Sequence, residues 1–421
     1  MRPPHKNILI LAFDYPPYVS VGGIRPKYWA ENFHKHNIHC TVITKNWKDL
    51  KHSDHQYVSD TISQQTVIET ENDVVTYWCP AKLNFSQKLL IKYGKTRFKI
   101  LRKTYSTLIE LLQYLVPVGS KKIIYTTAVD FLKTEKVDLI IATGDPYVLF
   151  HYAAKLSKKF DIPWLADYRD PWSYDLKKGF YPLYLYLNFI ERRILKNADA
   201  VCTVSDYVLS TIPMTNKHSK TIISGNGYNE SIFNDISPFQ FNELIITHAG
   251  SIYDYHPIEE LFAGVISFIA KYPNIQFKKN FIGMHDDSRI EKIIQINPSL
   301  RNKIITSKSV SNVEIVEVYR KSHALVLFNN FDVVGTKIFD YFASKRRILF
   351  CFECVSPQQE AILKQNAGEI IKDPSDLVQA LEKLKDEFEK NGTIECNSLD
   401  PTQYARKVQL EKLANFIHEN F

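Results

Sequence analysis

Asn7-Ile-Leu-Ile-Leu-Ala-Phe13 is an apolar run that gives way to Asp14-Tyr-Pro-Pro-Tyr-Val-Ser-Val-Gly-Gly-Ile-Arg-Pro26, and this succession decides the fold. An apolar run without polar alternation predicts a strand covered on both faces, as in a parallel sheet. Gly22-Gly23 stands just before an expected helix, where backbone N–H groups can approach an anion that the helix N-terminus also favours. Pro26 suits the first turn of that helix. The spacing is not the GxGxxG of a dinucleotide-binding dehydrogenase, which sets that class aside.

The same rhythm continues outward. Short apolar runs alternate with helix-like segments, the pattern of βαβ units and parallel sheets in an α/β protein. Strands are expected in the first half at Asn7–Phe13, His39–Thr44, Val137–Thr143, Ile162–Asp167, Ala200–Val204 and Thr221–Ile223. In the second half they are expected at Leu244–His248, Gln276–Ile282, Lys303–Thr306, Ala324–Phe328, Ile348–Phe352 and Glu369–Ile371. The polar, turn-rich Gly225–Asn242 reads as a linker. The expected division is a first domain over 1–225, interrupted by a basic helical stretch at 83–125, and a second over 226–401. A final helix at 402–421 is expected to pack back.

Composition bounds the class. With 421 residues, 45% hydrophobic and 24% charged, the chain suits two globular domains and excludes disorder. No apolar run reaches the roughly 18 residues of a membrane span. The N-terminus lacks the zones of a signal peptide, so the cytoplasm is the expected compartment. The six cysteines imply no disulfide framework, and Cys351 and Cys354 are expected in a buried strand. The net charge of +7 is unevenly spread: ten Lys or Arg face the single acid Glu110 between Lys82 and Lys122, a local +9. Two readings stay open there, an amphipathic helix on an anionic membrane surface or an ordinary solvated basic helix. No recognised binding module accompanies the charge, so nucleic acid is not an expected partner.

Three further stretches carry chemistry. In Asp138-Leu-Ile-Ile-Ala-Thr-Gly-Asp-Pro146, then His151, then Ile162-Pro-Trp-Leu-Ala-Asp-Tyr-Arg-Asp-Pro-Trp-Ser173, the charges Asp167, Arg169 and Asp170 gather beyond a strand's C-terminal end, where open sheets place ligands. A structural ion pair is the plainer alternative. Thr247-His-Ala-Gly-Ser-Ile-Tyr253 offers Gly250 and Ser251 for a close backbone approach to phosphate. In Asp332-Val-Val-Gly-Thr-Lys-Ile-Phe-Asp-Tyr-Phe-Ala343, two acids eight residues apart flank Gly335-Thr336-Lys337, a turn that opens a helix. Such a helix start can receive a diphosphate, Lys337 can neutralise it, and Asp332 and Asp340 can accept hydrogen bonds from ribose and sugar hydroxyls.

Together with Asn197-Ala-Asp-Ala200, Val204-Ser205 and Asn226-Gly-Tyr228, these landmarks make the chain resemble the fourth sequence family of glycosyltransferases, from residue 7 to about 385. That resemblance implies the GT-B fold, with two Rossmann-like parallel-sheet domains facing across a cleft. It also implies retaining transfer of a sugar from a nucleotide-diphosphate sugar to a saccharide or lipid-linked acceptor, without a metal or further cofactor. Carried over, Gly22, Gly23 and Arg25 belong to the loop facing donor phosphates and acceptor, joined by Arg169. Gly250, Ser251, Gly335, Thr336, Lys337 and Asp340 fall on the donor side. Asp332 and Asp340 stand where the family has a spaced pair of glutamates, each one methylene shorter, and no cation follows Gly250 where the family carries one. Lys337 is the substitute, and Asp170, His151 and Asp332 are the expected catalytic groups. Synthesis of envelope or capsule polysaccharide at the inner face of the plasma membrane is the expected setting. Two rivals remain: a sugar-nucleotide epimerase on the same fold, and a degenerate protein that binds nucleotide sugar without turnover.

Overall fold

The computed structural model describes residues 4–18, 20–47, 65–80, 83–179, 181–214, 219–233, 242–284, 286–308, 310–328, 334–352 and 355–421. The chain divides into two compact units, unit 1 with Met1–Gly225 and Leu410–Phe421, and unit 2 with Asn226–Gln409. Among the described residues, no helix is long and apolar enough to cross a membrane.

Unit 1 runs β1 (Lys6–Leu11), α1 (Val21–Asn32), β2 (Ile38–Lys45), β3 (Val67–Glu71), β4 (Val74–Cys79), α2 (Phe85–Tyr93), α3 (Lys99–Leu112), α4 (Lys122–Thr134), β5 (Leu139–Thr143) and α5 (Val148–Phe160). It continues with β6 (Trp164–Tyr168), α6 (Ser173–Lys178), α7 (Tyr184–Leu195), β7 (Ala200–Thr203), α8 (Asp206–Thr211) and β8 (Lys220–Ile223). The sheet order is β3-β4-β2-β1-β5-β6-β7-β8, so the winding reverses between β1 and β5. The β1–β2, β1–β5 and β5–β6 ladders are parallel. The apolar runs have the burial their sequence asks for: Leu9 and Leu11 enter one core layer with Ile140 and Ala142, and Ile8 and Ile10 enter the other with Leu139 and Ile141.

Each of the twelve expected strands forms, with ends shifted by a residue or two. Beyond them lie β3 and β4, an antiparallel hairpin on the sheet edge. Val67-Ile-Glu-Thr-Glu71 is polar and largely exposed, which hides it from a search for apolar runs. Its signal is the turn: Asn72 and Asp73 take φ of 49° and 63°, the paired positive values of a tight two-residue hairpin.

Helix α1 begins earlier than the Pro26 position suggests. Ser20 caps it, accepting from the Gly22 N–H at 3.1 Å, so Gly22 and Gly23 lie inside the first turn. Pro26 sits deeper in the helix, where its missing N–H leaves the Gly22 carbonyl without the usual helical donor. Arg25 anchors the helix. Its Nη2 lies 3.0 Å from Asp167 on β6, both side chains are buried, and its other donors reach the Gly225 carbonyl at 3.1 Å and Cys202 Sγ at 3.3 Å. The pairing of Asp167 is therefore structural, and Arg25 is held away from the ligand-facing role expected of it because its guanidinium donors are directed into the core.

The basic stretch forms α2 and α3, which pack on each other through Phe85 and Tyr105, ring centroids 5.4 Å apart, and through Ser86 and Ser106, 3.1 Å apart. Neither helix buries a residue. The end of α3 is tied to the body, with Tyr186 on α7 donating to the Leu111 carbonyl at 2.9 Å.

Unit 2 runs β9 (Leu244–Ala249), α9 (Ile258–Lys271), β10 (Phe277–Ile282), α10 (Ser288–Ile296), β11 (Ile304–Ser307), α11 (Asn312–Arg320), β12 (Ala324–Phe328), α12 (Lys337–Ser344), β13 (Arg347–Cys351), α13 (Pro357–Lys364), β14 (Gly368–Ile371) and α14 (Pro374–Asn391). Its sheet order is β11-β10-β9-β12-β13-β14, reversing between β9 and β12. Cys351 is buried on β13, and Cys354 lies outside the described residues. The last helix, α15 (Arg406–Asn420), starts in unit 2 and continues into unit 1. There Leu410, Leu413, Ala414 and Ile417 join the core layer of α1. Each fully buried Leu or Ile contributes roughly 1.5–3 kcal/mol by removal of apolar surface from water.

Removing one partner of the buried Arg25–Asp167 pair strands the other charge in the core. Asp167→Ala is expected to cost about 3–5 kcal/mol of stability. The double variant Arg25→Met/Asp167→Leu should cost clearly less, and urea unfolding of the three proteins checks the order.

Candidate functional site

Open α/β sheets take ligands outside the carboxyl ends of their strands, at the point where the winding reverses. In unit 2 that point lies beyond β9 and β12, and a cavity of about 330 Å³ opens there. Gly250, Ser251 and Gly283 form one side, Thr336, Lys337 and Asp340 another, and Ile282, Ile315 and Val310 add apolar surface. Gly250 is required twice over. Its φ is 104°, and a Cβ built on it would stand 2.4 Å from the Lys337 ammonium. Its N–H donates to the Ile282 carbonyl at 2.6 Å, and its backbone lies 3.4 Å from where a Cβ on Gly283 would be.

Lys337 opens α12, so its ammonium and the positive end of the helix serve one place. No hydrogen bond or ion pair to a described residue satisfies that ammonium. Burial pulls its pKa down to about 8, opposed by the nearby Asp340 carboxylate. Burial likewise pushes Asp340 up to about 6, and Arg406 and Lys337 limit the rise. Behind the cavity-lining Ala249, Tyr341 accepts from its N–H at 3.0 Å, and the adjacent buried His248 meets the Val326 carbonyl through Nδ1 at 3.1 Å. Burial first, then Lys337 and Lys279, hold the His248 imidazole in its neutral form. This half of the site can receive an anion: a helix start, a cation without an ion pair to a described residue and a glycine backbone converge on it.

In unit 1 the reversal lies between β1 and β5. Arg169, just past β6, donates to the carbonyls of Gly144 and of Asp145, the latter at 3.0 Å, and lies over the first turn of α1. A Cβ on Gly22 would fall 1.8 Å from its Nη1, so only glycine lets the guanidinium approach the helix start. Gly23 packs on the backbone of Tyr15, and Asp14 accepts from the Ser20 hydroxyl at 2.7 Å. Asp170 is exposed, and its carbonyl accepts from Tyr147 at 2.8 Å.

The structure thus brings Gly22, Gly23 and Arg169 together in unit 1, and Gly250, Ser251, Thr336, Lys337 and Asp340 in unit 2, with Gly335 directly preceding Thr336. It does not gather His151 with the first group. That side chain sits on α5 in a separate pocket with α7, because the helical repeat turns it toward Lys155 and Arg193. Asp332 lies outside the described residues. One cavity-lining residue that the sequence does not single out is Gly283; a glycine directly after an apolar strand, as in Phe281-Ile282-Gly283, is its signal.

No protein-family model matches the sequence, and comparison with curated proteins gives no match. Solved structures do match over the whole chain. Sucrose-phosphate synthase from Thermosynechococcus elongatus is 14% identical with a TM-score of 0.63, covering 99% of both chains. A glycosyltransferase from Rickettsia africae is 13% identical with a TM-score of 0.61, covering 99% of this chain and 98% of that one. The lipopolysaccharide outer core galactosyltransferase WaaB is 12% identical with a TM-score of 0.59, covering 99% of this chain and 100% of its own. At such identities the likeness is one of fold: two parallel-sheet Rossmann-like domains, the GT-B architecture of glycosyltransferases.

Asp340 gives a pH signature. Its folded pKa of about 6 stands above its ordinary 3.8, so its contribution to stability is complete below pH 3.8 and lost as pH rises through about 6. Asp340→Asn cannot ionise and escapes that loss. Its melting temperature relative to the unsubstituted protein is expected to move in its favour from about pH 4 to about pH 7 and then level off, read by thermal melts across that range.

Proposed function

We propose that the chain is a glycosyltransferase that takes a sugar from a nucleoside-diphosphate sugar, and that the unit 2 cavity binds the donor. The observation that carries this reading is the Lys337 ammonium held over the Gly250 backbone at the start of α12, with no ion pair to a described residue. A diphosphate supplies negative charge there, and its developing charge in the transition state is what such a preorganised cation and helix start stabilise. The apolar residues Ile282, Ile315 and Val310 offer a face for the base, and Asp340 can accept from a ribose hydroxyl. Support also comes from a protein of the same fold at a TM-score of 0.59, trehalose-6-phosphate from E. coli bound with UDP-2-fluoro glucose. Retention at the anomeric carbon and independence of metal follow from the family resemblance and belong to the same proposal. Asp332, eight residues before Asp340, is assigned to the transferred sugar.

The acceptor is assigned to unit 1, with Gly22, Gly23 and Arg169 at the helix start and Asp170, directly after Arg169, as an exposed carboxylate. We further assign the α2–α3 hairpin to an anionic membrane surface, which suits a lipid-linked acceptor in envelope polysaccharide synthesis. Ile100 is 82% exposed on α3, and Leu101, Leu108, Phe85 and Phe98 are exposed around it. Lys92 and Arg97 lie over the Tyr93 ring at 5.3 and 5.4 Å, so cations and apolar side chains share one surface. An exposed apolar helix with this many cations fits an interface of acyl chains and anionic headgroups.

The donor is tested by thermal shift against UDP, GDP, ADP, CMP and their common sugar conjugates. A saturating ligand at about a hundred times its Kd stabilises by ~2.7 kcal/mol, so one diphosphonucleoside should raise the melting temperature by several degrees. Lys337→Ala and Asp340→Ala should abolish the shift. No shift with any nucleotide would overturn the donor assignment, and a shift without transfer to any acceptor would favour the degenerate or epimerase readings. For the membrane, neutralising Lys92, Lys95, Arg97 and Lys99 together should reduce binding to anionic liposomes by at least about tenfold, at roughly 1 kcal/mol per cation. Unchanged binding would sink that assignment.

A further inference from the structure

Beyond the α2–α3 hairpin, unit 1 carries a cationic pocket that the transfer reaction leaves without a task. It has a volume of about 290 Å³ and lies between α5 and α7 beside the end of α3. His151, Lys155 and Lys158 project from one face of α5, spaced by four and three residues, and Arg193 faces them from α7. None of the four has a carboxylate partner among the described residues. His151 Nε2 is buried without a hydrogen-bond partner. Burial, then Lys155 and Arg193, hold that imidazole neutral, with a pKa of about 4, so the positive charge at the pocket belongs to the lysines and the arginine.

Tyr114 and Leu115, in the chain just past α3, line the pocket, Tyr114 buried and Leu115 exposed. The α7 residues that line the pocket are Ile190, Arg193, Ile194 and Asn197; next to this face Phe189, four residues before Arg193, is 61% exposed, and Leu185 a further turn back is 75% exposed. Lys155 is half-buried and Lys158 and Arg193 are exposed, so the cations lie at the surface beside exposed aliphatic and aromatic side chains, a pairing that matches an amphiphile with an anionic head. A soluble sugar phosphate would leave those exposed apolar side chains unused.

We propose that this pocket binds the phosphate headgroup of an anionic membrane lipid, with the acyl chains lying along Leu115, Leu185 and Phe189. The inference rests on the membrane reading of the hairpin and adds a defined lipid site to it. Charge complementarity selects the occupant: a phosphodiester can take hydrogen bonds from Lys155, Lys158 and Arg193 at once, and His151 Nε2 can complete the set.

The test uses the full chain and two arms. Flotation with vesicles of phosphatidylcholine containing phosphatidylglycerol compares the unsubstituted protein, Lys155→Gln/Arg193→Gln, and the hairpin variant Ile100→Ser/Leu108→Ser. In the second arm, dihexanoyl phosphatidylglycerol below its micellar concentration and inorganic phosphate are titrated separately while the His151 imidazole resonances are followed. The proposal expects Lys155→Gln/Arg193→Gln to lose about tenfold in vesicle affinity and to abolish the His151 response to the short-chain lipid. The hairpin variant should keep that response while losing vesicle binding. A His151 response to inorganic phosphate as strong as to the lipid would overturn the lipid assignment. Unchanged vesicle binding by Lys155→Gln/Arg193→Gln would overturn the pocket and leave the hairpin reading intact. If the unsubstituted protein fails to bind vesicles, the hairpin reading falls, and an absent His151 response to the short-chain lipid would remove the pocket as well.

Discussion

The buried ion pair of Arg25 with Asp167 is the constraint on which the geometry of unit 1 depends. It joins the middle of α1 to β6, and through the Gly225 carbonyl it also holds the end of the unit's continuous chain segment. Two residues past Asp167, the backbone presents Arg169, whose guanidinium lies over Gly22 in the first turn of α1. One arginine is therefore spent on fixing a helix against a strand so that a second can stand at the helix start. The desolvation of the first pair is offset by its close approach and by the further hydrogen bonds of Arg25 to Gly225 and Cys202.

Unit 2 uses a different device for a comparable end. Its cation is not paired in the core but left under-neutralised at a cavity, where burial weakens its hold on a proton and the Asp340 carboxylate partly restores it. Both groups are raised in energy by the surroundings that make them useful. An arrangement with this character is costly to the apo fold and is relieved by an anion, which is the usual relation between a binding site and the stability of its scaffold.

Much of this was legible in the sequence, and the physical reasons for success and failure are separable. Strands buried on both faces announce themselves by unbroken apolar runs, so β1, β5, β9 and β12 could be placed, and with them the sheet edges where ligands gather. Gly250 and Lys337 were legible because a glycine at a strand end and a lysine at a helix start are each local features. The edge hairpin β3–β4 was not, since its residues are polar and its signature is confined to Asn72-Asp73. Pro26 misplaced the start of α1 because a first-turn proline is a tendency and the Ser20 cap decides the matter. Arg25 and Arg169 differ in role only through which of them meets Asp167, a contact across 142 residues of chain that no local pattern encodes. His151 was read from its neighbours in sequence, whereas the helical repeat assigns it to the face of Lys155.

The membership of α15 has a consequence for how the chain is made. Leu410, Leu413, Ala414 and Ile417 form part of the layer over Ile8, Ile10 and Phe33, yet they leave the ribosome only after all of unit 2. Until then the first-made sheet has one flank open, an apolar surface of the kind that chaperones hold and that nascent chains aggregate through. Unit 2 has its whole complement of residues in a single span and can close as soon as that span emerges. Order of synthesis and order of completion are thereby inverted in this protein, and the half made first is the half finished last.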